Sequence, residues 1–190
     1  MDWNKYWETA TKPWIEKVIQ GIKYNWGYKR LLRDFYFPTV KTSLEMGAGK
    51  AYLSRILKER GVETTCVDNE LDIVLENQEK VDTYYFGDAF RIKLPIKDLT
   101  LSCGFIEHFK INKLRRLKIV SKYILMFYPS CDWRWRLFWK LRMFFGAKLH
   151  ETHYKHSNEL LEKVFDNYTL VFGSISFFGL YYDYFVGIKK

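Results

Sequence analysis

Cysteine is scarce: Cys66, Cys103 and Cys131 are the three among 190 residues, odd in number, far apart and in no Cys-x-x-Cys pair. That pattern excludes a disulfide framework, argues against a structural zinc site and fits a reducing, cytoplasmic compartment. Long apolar runs are missing as well. Stretches such as "YILMFY" at residues 123–128 fall far short of the roughly 18–20 residues that cross a bilayer. The opening "MDWNKYWETA" has no cationic start running into an apolar stretch, so no secretory signal is expected. There is no internal repeat, low-complexity tract or linker, and the length suits one domain over residues 1–190 with a real core.

What is abundant is aromatic and basic. Phe, Trp and Tyr make up 19 % of the chain, more than a minimal core needs, so some are expected to line a ligand cavity or an outer surface. The formal charge of +9 calls for acidic partners, an anionic membrane or a nucleic acid, without choosing between them.

Apolar spacing predicts a helical N-terminal segment over residues 1–38, with Trp14, Val18, Ile19 and Ile22 at helix intervals and Pro38 closing it. Alternation follows: strand "TSLEMG", helix "KAYLSRILKERG" stopped by Gly61, strand "ETTCVD", helix "NELDIVLENQEK", strand "TYYFGD", an irregular link, and strand "DLTLSCG". A basic helix over "KINKLRRLKIVSK" is expected to lead into strand "YILMFYP". Strands alternating with helices mean a doubly wound, mostly parallel α/β sheet. The end differs. Helix "SNELLEKVF", with Ser157 as its N-cap, precedes "YTLVFGSISFF" and "YYDYFVGIKK", which should pair as an antiparallel C-terminal hairpin near Gly179.

The loop "LEMGAGKAYL", residues 44–53, decides the ligand class. A phosphate-binding G-x-x-x-x-G-K-[ST] loop would need glycine at Leu44 and a hydroxyl at Ala51. A dinucleotide G-x-G-x-x-G loop would need glycine at Tyr52. A third pattern fits: Glu45 two places before Gly47, then Ala48 and Gly49, with Asp68 and Asn69 at the end of the second strand and Asp88 at the end of the third. In a parallel sheet these strand ends share the carboxyl edge where ligands bind. Glycines let the backbone approach an adenosyl group. Asp68 is placed to accept from ribose hydroxyls and Asp88 from the adenine amine, with Ala89 and Phe90 beside the ring. Acids without a phosphate partner fit a ligand that is phosphate-free and carries positive charge. The plainer alternative, polar strand ends with glycine turns, suits any one acid better than three in order.

These segments, with "DLTLSCGFIEHF" and "HYKHSNELLEKVF", resemble the class I S-adenosylmethionine-dependent methyltransferases in order and spacing from Leu44 to Phe165. The resemblance implies a Rossmann-like, seven-stranded sheet whose last strand lies between the two before it. It also implies S-adenosyl-L-methionine as cofactor, held by Glu45, Gly47, Ala48, Gly49, Asp68, Asn69, Asp88, Ala89, Phe90 and Cys103. One departure is Ala51, where the family usually has a third glycine.

Methyl transfer from a sulfonium is an in-line displacement in which alignment supplies most of the catalysis. A base is needed only for an acceptor that is protonated at neutral pH. After the fourth strand, Ser102, Cys103, Gly104 and Phe105 replace the Asn-Pro-Pro-Tyr type of sequence used on planar amino groups, which counts against adenine and glutamine substrates. Glu107 and His108 resemble the Glu-His pair of small-molecule and quinone O-methyltransferases and are the candidate catalytic residues. Metal-assisted relatives carry a further Glu where Gly104 stands, so no metal is expected. His153 and Tyr154 match a recurrent family feature and would face the acceptor or anchor their segment; His150 and His156 carry less signal.

Residues 131–156 occupy the place of a substrate-covering insertion. Read as a helix, Trp133, Leu137, Phe138, Leu141, Phe144 and Phe145 form an apolar face, with Arg136 and Lys140 pointing away and Trp135 and Trp139 nearby as acceptor contacts. Such a helix would lie on an anionic membrane, stack bases, or simply cap the domain's own core. The expected function is methyl transfer to a small-molecule or lipid-like acceptor in the cytoplasm or at a membrane surface. An RNA or tRNA methyltransferase and an inactive cofactor-binding module are the alternatives.

Overall fold

The computed structural model describes residues 27–35, 39–130, 132–144, 154–177 and 180–190. The expectations for residues 1–26 and for Cys131, His150 and His153 lie outside these, as do the side chains of Trp139 and of Leu141, Phe144 and Phe145.

In chain order the elements are α1 (Lys29–Asp34), β1 (Thr42–Met46), α2 (Tyr52–Lys58), β2 (Glu63–Asp68), α3 (Leu71–Asn77), β3 (Thr83–Phe86), β4 (Leu99–Cys103), α4 (Ile111–Leu114), β5 (Tyr123–Pro129), α5 (Trp133–Phe144), α6 (Asn158–Val164), β6 (Tyr168–Phe177) and β7 (Leu180–Lys189). One seven-stranded sheet runs β3-β2-β1-β4-β5-β7-β6. The first five strands are parallel, and β7 is antiparallel to both β5 and β6. β1 pairs with β2 on one side and β4 on the other, which makes its carboxyl end the topological switch point.

Both sheet faces are buried, so the central strands read as apolar runs rather than alternations. Leu44, Met46, Ile124 and Met126 face Ile106, Leu114, Leu161 and Phe165 on one side. On the other, Leu99, Leu101, Leu125 and Phe127 pack with Leu32 of α1 and Leu53, Ile56 and Leu57 of α2.

At the amino edge two aspartates fix strand register in the same way. Asp98 accepts from the Thr42 amide and hydroxyl, and Asp82 from those of Thr64. The backbone amide of each aspartate donates in return to the threonine hydroxyl oxygen. Ser157 caps α6 as expected, its hydroxyl accepting from the Leu160 amide.

The basic helix over residues 110–122 is corrected: only Ile111–Leu114 is α-helical. From Leu117 onward the residues alternate, with Leu117, Ile119 and Ser121 turned inward and Lys118, Val120 and Lys122 exposed. That is the period of an extended chain returning to the sheet.

Candidate active site

The site is built at the carboxyl edge, beginning with the β1–α2 loop. Every second residue there is left-handed: Gly47 at φ +59°, Gly49 at +52° and Ala51 at +53°. Glycine takes this conformation freely, whereas alanine holds it at a cost of about 1–2 kcal/mol. Ala51 is fully buried as the residue preceding α2, so packing offsets the strain. A Cβ on Gly47 would lie 2.4 Å from a Phe105 ring carbon, whereas one on Gly49 would meet nothing within 4 Å. Gly47 thus seats the β4 side, and Gly49 leaves a bare backbone surface open to approach.

Asp68, the last residue of β2, grips this loop. Its Oδ2 accepts from the Gly49 amide at 2.8 Å and its Oδ1 from the Glu70 amide at 3.1 Å. The Asn69 amide also acts on it, and since an ionised carboxylate has about four acceptor positions, capacity remains for a ligand hydroxyl. Burial raises its pKa. The Tyr84 hydroxyl donates to the Gly49 carbonyl at 2.6 Å and braces the loop from β3.

Glu45 does a different job from Asp68. It is 3 % exposed, and its Oε2 accepts from the Ser54 amide at 2.8 Å, joining β1 to the first turn of α2. Burial pushes its pKa up to about 7. Asp88 lies two residues beyond β3 rather than within it; its Oδ1 accepts from the Phe90 amide at 2.9 Å and its Oδ2 is 3.5 Å from Arg91 Nε. Ala89 is buried, and the Phe90 ring joins Phe105 at 5.8 Å and Phe109 at 4.7 Å, with the Lys113 ammonium over Phe90 and Phe109. Asn69 follows Asp68 in the turn toward α3.

Beyond β4, Gly104 turns the chain at φ +74° into a 3₁₀ segment, Ile106–His108. Glu107 is 2 % exposed, its Oε2 meets no hydrogen-bond partner among the described residues, and burial pushes its pKa up to about 8. His108 beside it is half-buried. The strap before α6 is laced to this turn: the Tyr154 amide donates to the Glu107 carbonyl at 2.7 Å, and His156 Nε2 lies 3.2 Å from the Ile106 carbonyl. Burial lowers the His156 pKa.

Neither protein-family models nor the sequences of curated proteins match this chain. Solved structures do. Magnesium protoporphyrin IX methyltransferase (ChlM) from Synechocystis PCC 6803 with bound SAH superposes with a TM-score of 0.69 at 14 % identity, over 100 % of this chain and 93 % of that one. The PH0226 protein from Pyrococcus horikoshii OT3 gives 0.70 at 14 % identity over 100 % and 99 %. Mitomycin 7-O-methyltransferase MmcR gives 0.66 at 14 % identity over 96 % and 60 %. The fold is that of the class I methyltransferases.

Within the methyltransferase fold two side chains take places the sequence reading did not give them. Tyr28, just before α1, stacks on Tyr52 at 5.7 Å, and its phenol pKa is raised by burial, by the Cys103 thiol, and by Tyr182 and Glu45. It therefore sits over the end of β4. Its helix spacing with Leu31, Leu32 and Phe35 marks an apolar position but not this place, because its neighbours are brought together from distant elements. Trp135 is the buried anchor of α5: its indole N–H donates to the Tyr181 carbonyl at 2.6 Å, and its ring meets Phe138 and Tyr182 edge-on. The expected helix face is thereby corrected. Trp133 and Leu137 are exposed on the same side as Arg136 and Lys140, while Trp135 and Phe138 face the sheet.

Proposed function

We propose that this chain is an S-adenosyl-L-methionine-dependent methyltransferase whose acceptor is a small or lipid-like molecule. One observation carries the reading: on this sheet order, Asp68 holds the Gly49 amide at 2.8 Å, with acceptor capacity left over beside an open glycine backbone. That free acceptor beside bare backbone suits a ribose diol, whose hydroxyls would donate to it, and an uncharged adenosyl edge; the neighbours with bound SAH or SAM support it. The bound cofactor supplies a methyl group on a sulfonium, a good leaving group.

The chain's own residues do the rest. Gly47 to Gly49 and Asp68 orient the ligand; Ala89 and the Phe90–Phe105–Phe109 cluster wall it and exclude water. His108 at the turn is the candidate general base for a hydroxyl acceptor, and Glu107, sealed behind it, positions the turn rather than touching substrate. Cys103 and Tyr28 close the β4 side, and Tyr154 ties the strap to it.

The test is calorimetry with SAM and SAH, followed by transfer of a labelled methyl group to metabolite, lipid and RNA fractions. Absence of nucleoside binding ends the proposal. Binding without transfer to any fraction makes the chain an inactive cofactor-binding module, and label in RNA alone makes it an RNA methyltransferase, the reading that the +9 charge favours.

A further inference from the structure

We infer that the outward face of α5 docks on an anionic lipid surface beside the mouth of the site. In a helix, residues 133, 136, 137 and 140 fall within roughly 100° of arc. On this face Trp133 is 65 % exposed and Leu137 is 49 % exposed, with Arg136 and Lys140 exposed between and beyond them. The opposite side is fixed: Trp135 and Phe138 turn inward, and the indole of Trp135 is bonded to β7. The outward face is thus a rigid arrangement.

Its chemistry selects the occupant. The sequence of α5, "WRWRLFWKLRMF", contains four cations and no acid. Arg134 is committed elsewhere, its guanidinium over the rings of Trp133 and Tyr181 and 3.3 Å from Asp132. That leaves an indole and a leucine for the headgroup–acyl boundary, flanked by cations whose stems reach to lipid phosphates. An exposed aliphatic leucine between cations is of no use in stacking bases, so lipid is favoured over nucleic acid. Among the described residues no helix is long and apolar enough to cross a membrane, so the contact is peripheral.

The position gives the contact a purpose. α5 begins four residues after β5 at the carboxyl edge, and Trp135 touches Tyr182, which pairs with Pro129 at the end of β5. A membrane on this face would lie next to the acceptor side of the site and deliver an apolar acceptor from the lipid phase. That consequence rests on the methyltransferase reading; the docking face itself does not.

The test is flotation of the full chain with phosphatidylglycerol–phosphatidylcholine vesicles and with phosphatidylcholine alone, alongside SAH calorimetry. Expected is enrichment on the anionic vesicles only. The Trp133→Ser/Leu137→Ser and Arg136→Glu/Lys140→Glu pairs should each lose at least about tenfold in partitioning while keeping SAH affinity. The Lys189→Glu/Lys190→Glu pair, an equal charge change at the opposite sheet edge, should float like the wild type. No enrichment on anionic vesicles, an equal loss in the Lys189/Lys190 pair, or binding of poly(U) in place of vesicles would each overturn the proposal. SAH binding without flotation removes the docking and leaves the enzyme reading. Flotation without SAH binding does the reverse.

Discussion

The Gly49 amide donates to Asp68 Oδ2 at 2.8 Å, so the end of β2 holds the loop that follows β1 across the switch point of the sheet. An acid whose only task was to end a strand would leave cofactor affinity untouched when removed. Asp68→Ala removes a charged acceptor worth about 1.5–3 kcal/mol, so SAH affinity by calorimetry should fall roughly 10- to 100-fold with the circular dichroism unchanged. Wild-type affinity in the variant would strip Asp68 of its ligand role.

Gly47 and Gly49 share a backbone conformation but not a neighbourhood. Gly49→Ala meets open space and should cost only the left-handed strain, about 1–2 kcal/mol. Gly47→Ala adds a clash with the Phe105 ring, and its total should reach about 2–5 kcal/mol. The melting temperature should therefore drop roughly twice as far for Gly47→Ala, at about 2–4 °C per kcal/mol. Equal drops would mean that Phe105 is not seated on Gly47.

The loop and the strand ends were legible because their signals are local: glycines at a two-residue interval and acids at the exits of strands. Two other segments were not. "KINKLRRLKIVSK" has apolar residues at intervals that serve a helix or an extended chain, and the need to return to β5 selects the second beyond Leu114. In "CDWRWRLFWKLRMFF" aromatics lie on every side, so the sequence could not say which tryptophan faces inward. The carbonyl of Tyr181, contributed by a strand 46 residues further on, makes that choice. The place of Tyr28 beside β4 and the Asp82 and Asp98 clamps could not be read off for the same reason, their partners being distant in sequence.

Burial lifts Glu45 to about 7 and Glu107 to about 8 from an ordinary value of 4.5. The folded protein keeps protons that the unfolded chain releases, so these two groups favour folding in acid, and that contribution is lost as pH rises through about 7 to 8. Asp82 and Asp98 act oppositely. The Thr64 and Lys41 amides, respectively, lead the hydrogen bonds that hold their pKa values down, and the stability they add is lost only in acid below the ordinary 3.8. Glu107→Gln removes one proton site, so its melting temperature relative to wild type should climb steadily from pH 5 to pH 8. Parallel melting curves across that range would show that Glu107 ionises normally.

His108 is the one half-buried imidazole at the turn, next to the sealed Glu107 carboxyl. If the acceptor is a hydroxyl, His108→Ala should lower kcat by about 10²- to 10⁴-fold, abolish the acidic limb of the pH–rate profile and leave SAH affinity intact. Undiminished turnover on the true acceptor removes it from the mechanism.

Trp135 separates a wall of the acceptor site from a structural anchor. Its indole N–H is bonded to the Tyr181 carbonyl at 2.6 Å and its ring is packed edge-on against Tyr182 at 5.1 Å and Phe138 at 5.6 Å. Trp135→Phe removes one of the two donors on that carbonyl, which keeps the Ser130 amide at 3.0 Å, and opens a void where the larger ring was, together costing about 2–4 kcal/mol. The melting temperature should fall by roughly 5–15 °C, with SAH affinity below the transition unchanged. A residue that only lined the acceptor pocket would do the opposite, raising KM and sparing the melt, and that result would move Trp135 from the foundation of α5 into the binding site.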